Sequence, residues 1–400
     1  MSKIIERPIY LERIKPFIDK NLIKVIVGQR RVGKSYIIKQ LSDIIVKNNP
    51  SANIIYIDKE RNEFDFITDY QILYDFVKEK YSDNKPNYLL IDEVQEIQQF
   101  EKSLRSLLNE GEIDIYCTGS NADLLSGELA TLLSGRYIEF RISPLSYPEF
   151  LNFHKLENNN ASLMSFIKFG GLPFLIHLEM EEGLIFDYLE NIYSTILFKD
   201  VVKRYKIRNI AFLESLIRFL SGNIGSLVSA KKISDFLKSQ KVQISTRVVL
   251  DYLFYLNNAF LVNKAGRYEI AGKKIFETGE KQFFEDIGIR NAISGFNQAD
   301  VGKIMENVVY NHLVLCGYKV SVGQLNVHEI DFVCQKQNET MYVQVAYLIS
   351  DENTIQREYG NLLKIKDNYP KYVISMDEFQ GNTYQGIRHL HLKEFLSIYW

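Results

Sequence analysis

Cysteine and proline are scarce in this chain: three of the one and eight of the other in 400 residues. Cys117, Cys316 and Cys334 are too few and too scattered for a disulfide framework or a zinc site. They read as buried thiols of a reduced protein. No low-complexity tract or fixed-period repeat is present, which excludes a repeat architecture. No apolar run reaches the roughly 18 residues that a membrane-spanning helix needs. The start, Met1-Ser2-Lys3-Ile4-Ile5-Glu6-Arg7, lacks the apolar core of a signal peptide. The expectation is a cytoplasmic protein with no membrane partner. Excess charge is missing too: 48 Lys and Arg against 50 Asp and Glu leave a net charge of −2. The whole chain is therefore no nucleic-acid polycation, and any basic face must be local. The length by itself points to two to four domains.

What is there begins with Gly28-Gln29-Arg30-Arg31-Val32-Gly33-Lys34-Ser35, which fits G-x-x-x-x-G-K-[ST], the P-loop pattern. The apolar run from Leu22 to Val27 precedes it as a strand, and Ser35 to Asn48 follows with helical spacing. Glycines let backbone approach phosphate closely, and loop N–H groups with a helix N-terminus favour anions. The pattern makes residues 28–35 the candidate ATP cradle. Lys34 would reach the β- and γ-phosphates and the Ser35 hydroxyl would ligate Mg²⁺.

Asn53 to Asp58 reads as a second strand and Tyr70 to Tyr81 as a helix. Asn87 to Val94 is an apolar strand ending in Asp92 and Glu93. Downstream of a P-loop this is a Walker B element: Asp92 would hold Mg²⁺, and Glu93 would polarise the attacking water. A strand between the P-loop and the acid pair, and a catalytic acid directly after the Mg²⁺ acid, point to the P-loop branch with an added central strand. Phe100 to Asn109 is a helix, Asp114 to Asn121 a strand and polar turn, and Leu124 to Leu133 a helix. Tyr137 to Ile142 is a fifth strand.

These residues resemble the AAA+ ATPases, and more closely a prokaryotic family that joins such an ATPase to a C-terminal region of unknown function. The resemblance rests on Gly28 to Ser35, Leu90 to Gln95, Thr118-Gly119-Ser120-Asn121, Ser134-Gly135-Arg136 and Pro144 to Phe150. It implies an α/β ATPase core over 1–143. It gives Asn121 the sensor-1 role, with a helix N-cap as the alternative, and Arg136 the arginine-finger role, with a structural arginine as the alternative. A finger acting in trans implies a homo-oligomer.

Residues 144–205 are helical with a break at Gly170-Gly171-Leu172-Pro173, the size and position of an AAA+ lid. Residues 206–275 read as three helices and two strands, with Phe260-Leu261-Val262 and Arg267 to Ile270 flanking Gly266 as a wing hairpin. That is a winged helix-turn-helix pattern. It carries twelve cations and four acids, a local charge of +8. Lys231, Lys232, Lys241 and Arg247 are the candidate DNA or RNA contacts, with packing or a protein partner as the alternative. Residues 276–299 read as a connecting helix, Glu280 to Ala292.

Residues 300–400 read α-β-β-β-α-β, which resembles the restriction-endonuclease-like PD-(D/E)xK fold. The resemblance places Glu306 and Asp331 at its acids, and Gln344 and Ala346 where a further acid and a lysine belong. Gln brings no metal-binding charge and Ala stabilises no oxyanion, so this domain is expected to be a degenerate nuclease. The function expected is ATP binding and hydrolysis with Mg²⁺, coupled to nucleic acid. The alternatives are a nucleotide-gated switch binding a protein partner and a nuclease with an unorthodox site.

Overall fold

The structure is a computed structural model that describes residues 5–122, 133, 135–239, 244–272, 274–349, 352–377 and 383–400. The chain forms two compact units. One is Met1–Ser143 with Asn258–Phe260, the other Pro144–Asn257 with Leu261–Trp400.

The first unit is built on a five-stranded parallel sheet of order β2-β3-β4-β1-β5. Its strands are β1 (Ile23–Val27), β2 (Asn53–Asp58), β3 (Asn87–Asp92), β4 (Ile113–Gly119) and β5 (Tyr137–Arg141). Helix α1 (Pro8–Ile14) precedes it, and α2 (Lys34–Asn48), α3 (Tyr70–Lys80) and α4 (Phe100–Glu110) cross between strands. Every residue of β1, β3 and β4 is buried, which is why these segments read as unbroken apolar runs rather than alternating ones. Leu73 and Val77 of α3 and Leu104, Leu107 and Leu108 of α4 pack on Ile55, Leu89 and Ile115 of the sheet. Burial of each such side chain stabilises by about 1.5–3 kcal/mol. Asp69 starts α3 by accepting hydrogen bonds from the Gln71 and Ile72 amides, and Gly111, at φ +77°, ends α4. The helix expected over Leu124 to Leu133 lies, except for Leu133, outside the described residues.

The second unit begins with helices α5 (Tyr147–His154), α6 (Asn160–Phe169) and α7 (Glu182–Thr195), the last continuing as π-helix over Ile196–Lys203. Helices α8 (Ile210–Gly222), α9 (Ala230–Ser239), α10 (Thr246–Asn258), α11 (Ile287–Ser294), α12 (Val301–Leu315), α13 (Glu352–Leu363) and α14 (Leu392–Ser397) follow. The unit also contains a nine-stranded sheet of order β13-β14-β12-β11-β10-β9-β7-β8-β6. The strands are β6 (Leu227–Val228), β7 (Val262–Glu269), β8 (Lys274–Phe284), β9 (Lys319–Leu325), β10 (His328–Lys336), β11 (Glu339–Val345), β12 (Lys371–Ser375), β13 (Thr383–Tyr384) and β14 (Ile387–His391).

Two local expectations are corrected here. Gly266 is not the turn of a hairpin. It lies inside one continuous strand, β7, where the pairing with β8 shifts register between Gly266 and Tyr268. A glycine in a strand marks such a bulge as readily as a turn. The hairpin instead turns after Ile270, and β7 also pairs in parallel with β9, Arg267 opposite Val322. Nor is Glu280 to Ala292 one connecting helix. Strand β8 runs through Phe284, and the helix is only Ile287–Ser294, capped by Asp286 accepting from the Ile289 amide at 2.9 Å. Lys281 to Phe284 are all buried, so both faces of the strand are covered here. Such a strand shows no alternation and cannot be told from a helix by periodicity.

Candidate nucleotide-binding site

The carboxyl ends of three adjacent strands, β1, β3 and β4, meet in the first unit. In an open α/β sheet this edge is where ligands bind. Strand β1 leads into Gly28, at φ +154°, where a Cβ would stand 2.2 Å from the Ile142 carbonyl oxygen, so no other residue fits. Arg31 and Gly33 take φ of +70° and +97°, and α2 begins at Lys34. Left-handed residues alternating with right-handed ones make the concave runs of N–H groups that take anions.

Lys34 is buried. Its Nζ donates to the Gly28 and Gln29 carbonyls, each at 3.1 Å, and lies 3.8 Å from Glu93 Oε1. Ser35 hydrogen-bonds Asp92. The Thr118 hydroxyl on β4 donates to Asp92 and accepts the Glu93 amide at 2.9 Å. Thr118 thus ties both acids to the neighbouring strand. Glu93 itself is left-handed, at φ +57°. Gln95 donates to its carboxylate, and Ser120 also bonds it.

The two acids differ electrostatically. Burial pushes Asp92 above the ordinary carboxylate range; the bonds from Thr118 and Ser35 oppose this, and Glu93 and Asp58 add to it. Asp58 stands in register with Asp92 on β2. Burial also raises Glu93, but Lys34, Arg30 and the bonds from Gln95 and Ser120 outweigh it and hold the group below its ordinary value. Asp92 is thus short of positive charge, and Glu93 is supplied with it. A hydroxyl beside an acid-rich, desolvated carboxylate is a hard oxygen donor set, which fits Mg²⁺.

The structure brings Lys34, Ser35, Asp92 and Glu93 together. Asn121 is buried two residues past β4. Arg136 is elsewhere: its carbonyl accepts the Ile23 amide at 2.8 Å, at the amino end of β1. At about 3.3 Å per strand residue, that is roughly 17 Å from Gly28, and the side chain is exposed. Thr118 and Gln95 were not singled out from sequence as site residues. A polar residue closing the apolar β4 run was the signal for Thr118.

In the second unit Lys231 and Lys232 are exposed on α9 and Arg247 on α10, while Lys241 lies outside the described residues. Leu250 and Phe254 on α10 are also exposed, at 54 % and 53 %. Glu306 and Asp331 share a lysine, and Gln344 Oε1 accepts the Asp331 amide at 3.2 Å.

Comparison with known proteins agrees with this geometry. Residues 20–151 match the model of an AAA domain, and residues 160–300 that of a domain of unknown function. An uncharacterised protein of Haemophilus influenzae is 39 % identical over 403 residues, covering 99 % of this chain and 100 % of its own. Another, from Methanocaldococcus jannaschii, is 30 % identical over 367 residues, covering 88 % and 79 %. The chain belongs to their family. The Walker-type ATPase of Pyrococcus abyssi shares the fold, with a TM-score of 0.51 at 14 % identity over 72 % of this chain and 96 % of that one. The first unit is accordingly an AAA+ P-loop domain with the site of a nucleotide-binding protein. No helix among the described residues is long and apolar enough to cross a membrane.

Proposed function

We propose that the chain hydrolyses ATP with Mg²⁺ and couples turnover to nucleic acid through its larger unit. The observation that carries the ATPase part is the meeting of Lys34 and Ser35 with Asp92 and Glu93, locked by Thr118. The P-loop amides and Lys34 bind the β- and γ-phosphates; Ser35 and Asp92 hold Mg²⁺. The bound ion would neutralise charge developing on the phosphates. Glu93 orients the attacking water and accepts its proton. Lys34 now lies against Glu93 and two loop carbonyls; transferring it to phosphate would relieve the hold that keeps Glu93 a weak base.

The larger unit supports the coupling. The order α8-β6-α9-α10-β7-β8, with β6 antiparallel to β8, supports reading a winged helix here. The order α12-β9-β10-β11-α13-β12 supports reading a nuclease-like domain after it. Residues 144–205 would serve as lid. The +8 charge of residues 206–275 favours contact with phosphate backbone. A second reading, a nucleotide-gated switch binding a protein, is favoured by the exposed Leu250 and Phe254 beside Arg247, since an apolar helix face suits protein better than phosphate.

The test is the steady-state ATPase rate with and without DNA and RNA, at low and high salt. Stimulation that fades steeply with salt supports the nucleic-acid reading; a rate indifferent to both supports the switch. Lys34→Ala should abolish turnover while leaving the fold intact. Unchanged hydrolysis in that variant would sink the ATPase assignment.

A further inference from the structure

A second cluster of ionisable groups lies in the larger unit, on elements that the ATP chemistry does not use. At its centre is Lys281 on β8, with a side chain only 2 % exposed. Its Nζ lies 2.6 Å from Glu306 Oε1 on α12, and 2.8 Å and 3.7 Å from Glu329 Oε1 and Asp331 Oδ1 on β10. Three carboxylates from two elements converge on one ammonium, which has three protons to give. Asp331 Oδ2 accepts the Val345 amide at 2.8 Å. A fourth acid, Glu358 on α13, is 3 % exposed and near enough to Asp331 to raise its pKa. Its Oε1 pairs with Arg357 at 2.6 Å, and its Oε2 has no hydrogen-bond partner among the described residues.

Charge and reach decide what this lysine does. Buried acids outnumber the cation, and burial pushes Glu306 up to about 8 and Asp331 to about 6. Desolvation works against the ammonium, but Glu306, Asp331 and Glu329 outweigh it and raise its pKa. A lysine that assists a reaction must face substrate with a free N–H. Lys281 is enclosed and directed at carboxylates. Its nitrogen holds the place that a hard cation takes among oxygen ligands.

We propose that the Lys281 ammonium is the built-in cation of this pocket, standing where a divalent ion would otherwise be held. Taking it away uncovers a divalent-cation site formed by Glu306, Glu329 and Asp331, the three acids that now face the ammonium. The ammonium joins β8 to α12 and β10 without metal, and the pocket as it stands carries no metal-dependent chemistry. This stands apart from the ATPase reading and does not depend on it.

The test is Mn²⁺ binding to the nucleotide-free full-length chain, read by electron paramagnetic resonance and by thermal melting. Wild type, Lys281→Ala, Lys281→Met and each with Asp331→Asn are compared. Mn²⁺ at the ATPase site is common to all of them, so dependence on Asp331 isolates this pocket. Lys281→Ala or Lys281→Met should gain one Mn²⁺ per chain that wild type does not bind, and melt higher with the ion present. Asp331→Asn should remove the gain. Variants that fold only when Mn²⁺ is supplied also support the proposal. It is overturned if wild type binds Mn²⁺ in a manner lost with Asp331→Asn. Folded lysine variants that bind none, or variants that Mn²⁺ cannot rescue, overturn it equally.

Discussion

At the scale of single residues, the proposed hydrolysis turns on Glu93 and on Thr118, which holds both acids. Glu93 occupies a left-handed conformation that costs about 1 kcal/mol or more in a non-glycine residue, and Lys34, Gln95 and Ser120 hold its charge. Glu93→Gln keeps size and hydrogen bonding but loses the charge; ATP binding should persist while turnover falls by at least ~10². A fluorescent-nucleotide titration beside a phosphate-release assay checks this. A variant that binds no ATP would mean the roles of Asp92 and Glu93 are exchanged. Thr118→Val removes the hydroxyl between the two acids and leaves the buried Glu93 amide without its acceptor. It should cost about 1–3 kcal/mol of stability, readable as a lower denaturation midpoint, together with most of the turnover.

His312 sets a pH response of its own. Burial lowers it to about 4, and its Nε2 lies 2.8 Å from the Ile398 carbonyl oxygen. The folded state therefore takes up the proton less readily than the unfolded one. Its stabilising effect is whole above the unfolded value near 6.5 and is lost as pH falls toward 4, by up to roughly 3 kcal/mol. Denaturation midpoints from pH 7 to 4.5 should fall less steeply in His312→Gln than in wild type. Parallel slopes would show that His312 is not responsible.

At the scale of elements, the break at Gly170 to Pro173 has its counterpart in α11. A Cβ on Gly288 would stand 2.0 Å from the Phe169 carbonyl oxygen at the end of α6. Gly288→Ala therefore has to move backbone, and should destabilise the larger unit by about 1–3 kcal/mol, measured by chemical denaturation. Elements buried in the same way throughout were the legible ones. Strands β1, β3 and β4 announce themselves as apolar runs between turn residues. Strand β8 did not, because its end mixes Lys281 and Gln282 with Phe283 and Phe284 on two covered faces. The bulge at Gly266 was hidden because the residue that permits a turn also permits a bulge.

At the scale of the whole molecule, the position of Arg136 makes assembly the question. It lies at the amino end of β1, beyond reach of the phosphate loop of its own chain. Its planar fork suits phosphate. If it acts, it acts on a neighbour. Arg136→Ala should then spare ATP binding and cut turnover. Doped into wild type, it should depress the mixture below the simple average, and wild-type specific activity should rise with protein concentration. Turnover per chain that stays flat from nanomolar to micromolar in a monomer would make Arg136 a structural residue.

The sequence by itself determined the ATPase core: the loop from Gly28 to Ser35, the acids Asp92 and Glu93, and the strands that bear them are contiguous segments whose local pattern states their chemistry. Only the tertiary structure decided what stands beside them. Thr118 meets Asp92 across 26 positions, and Lys281 meets Asp331 across 50. Sequence spacing carries no trace of such meetings, because they depend on which strands become neighbours in a sheet. Read along the chain, Ala346 left the acids Glu306 and Asp331 without a lysine. Strand β8 supplies one from 65 residues earlier, since the order of strands in the nine-stranded sheet, and not their order in the chain, sets which charges are buried together.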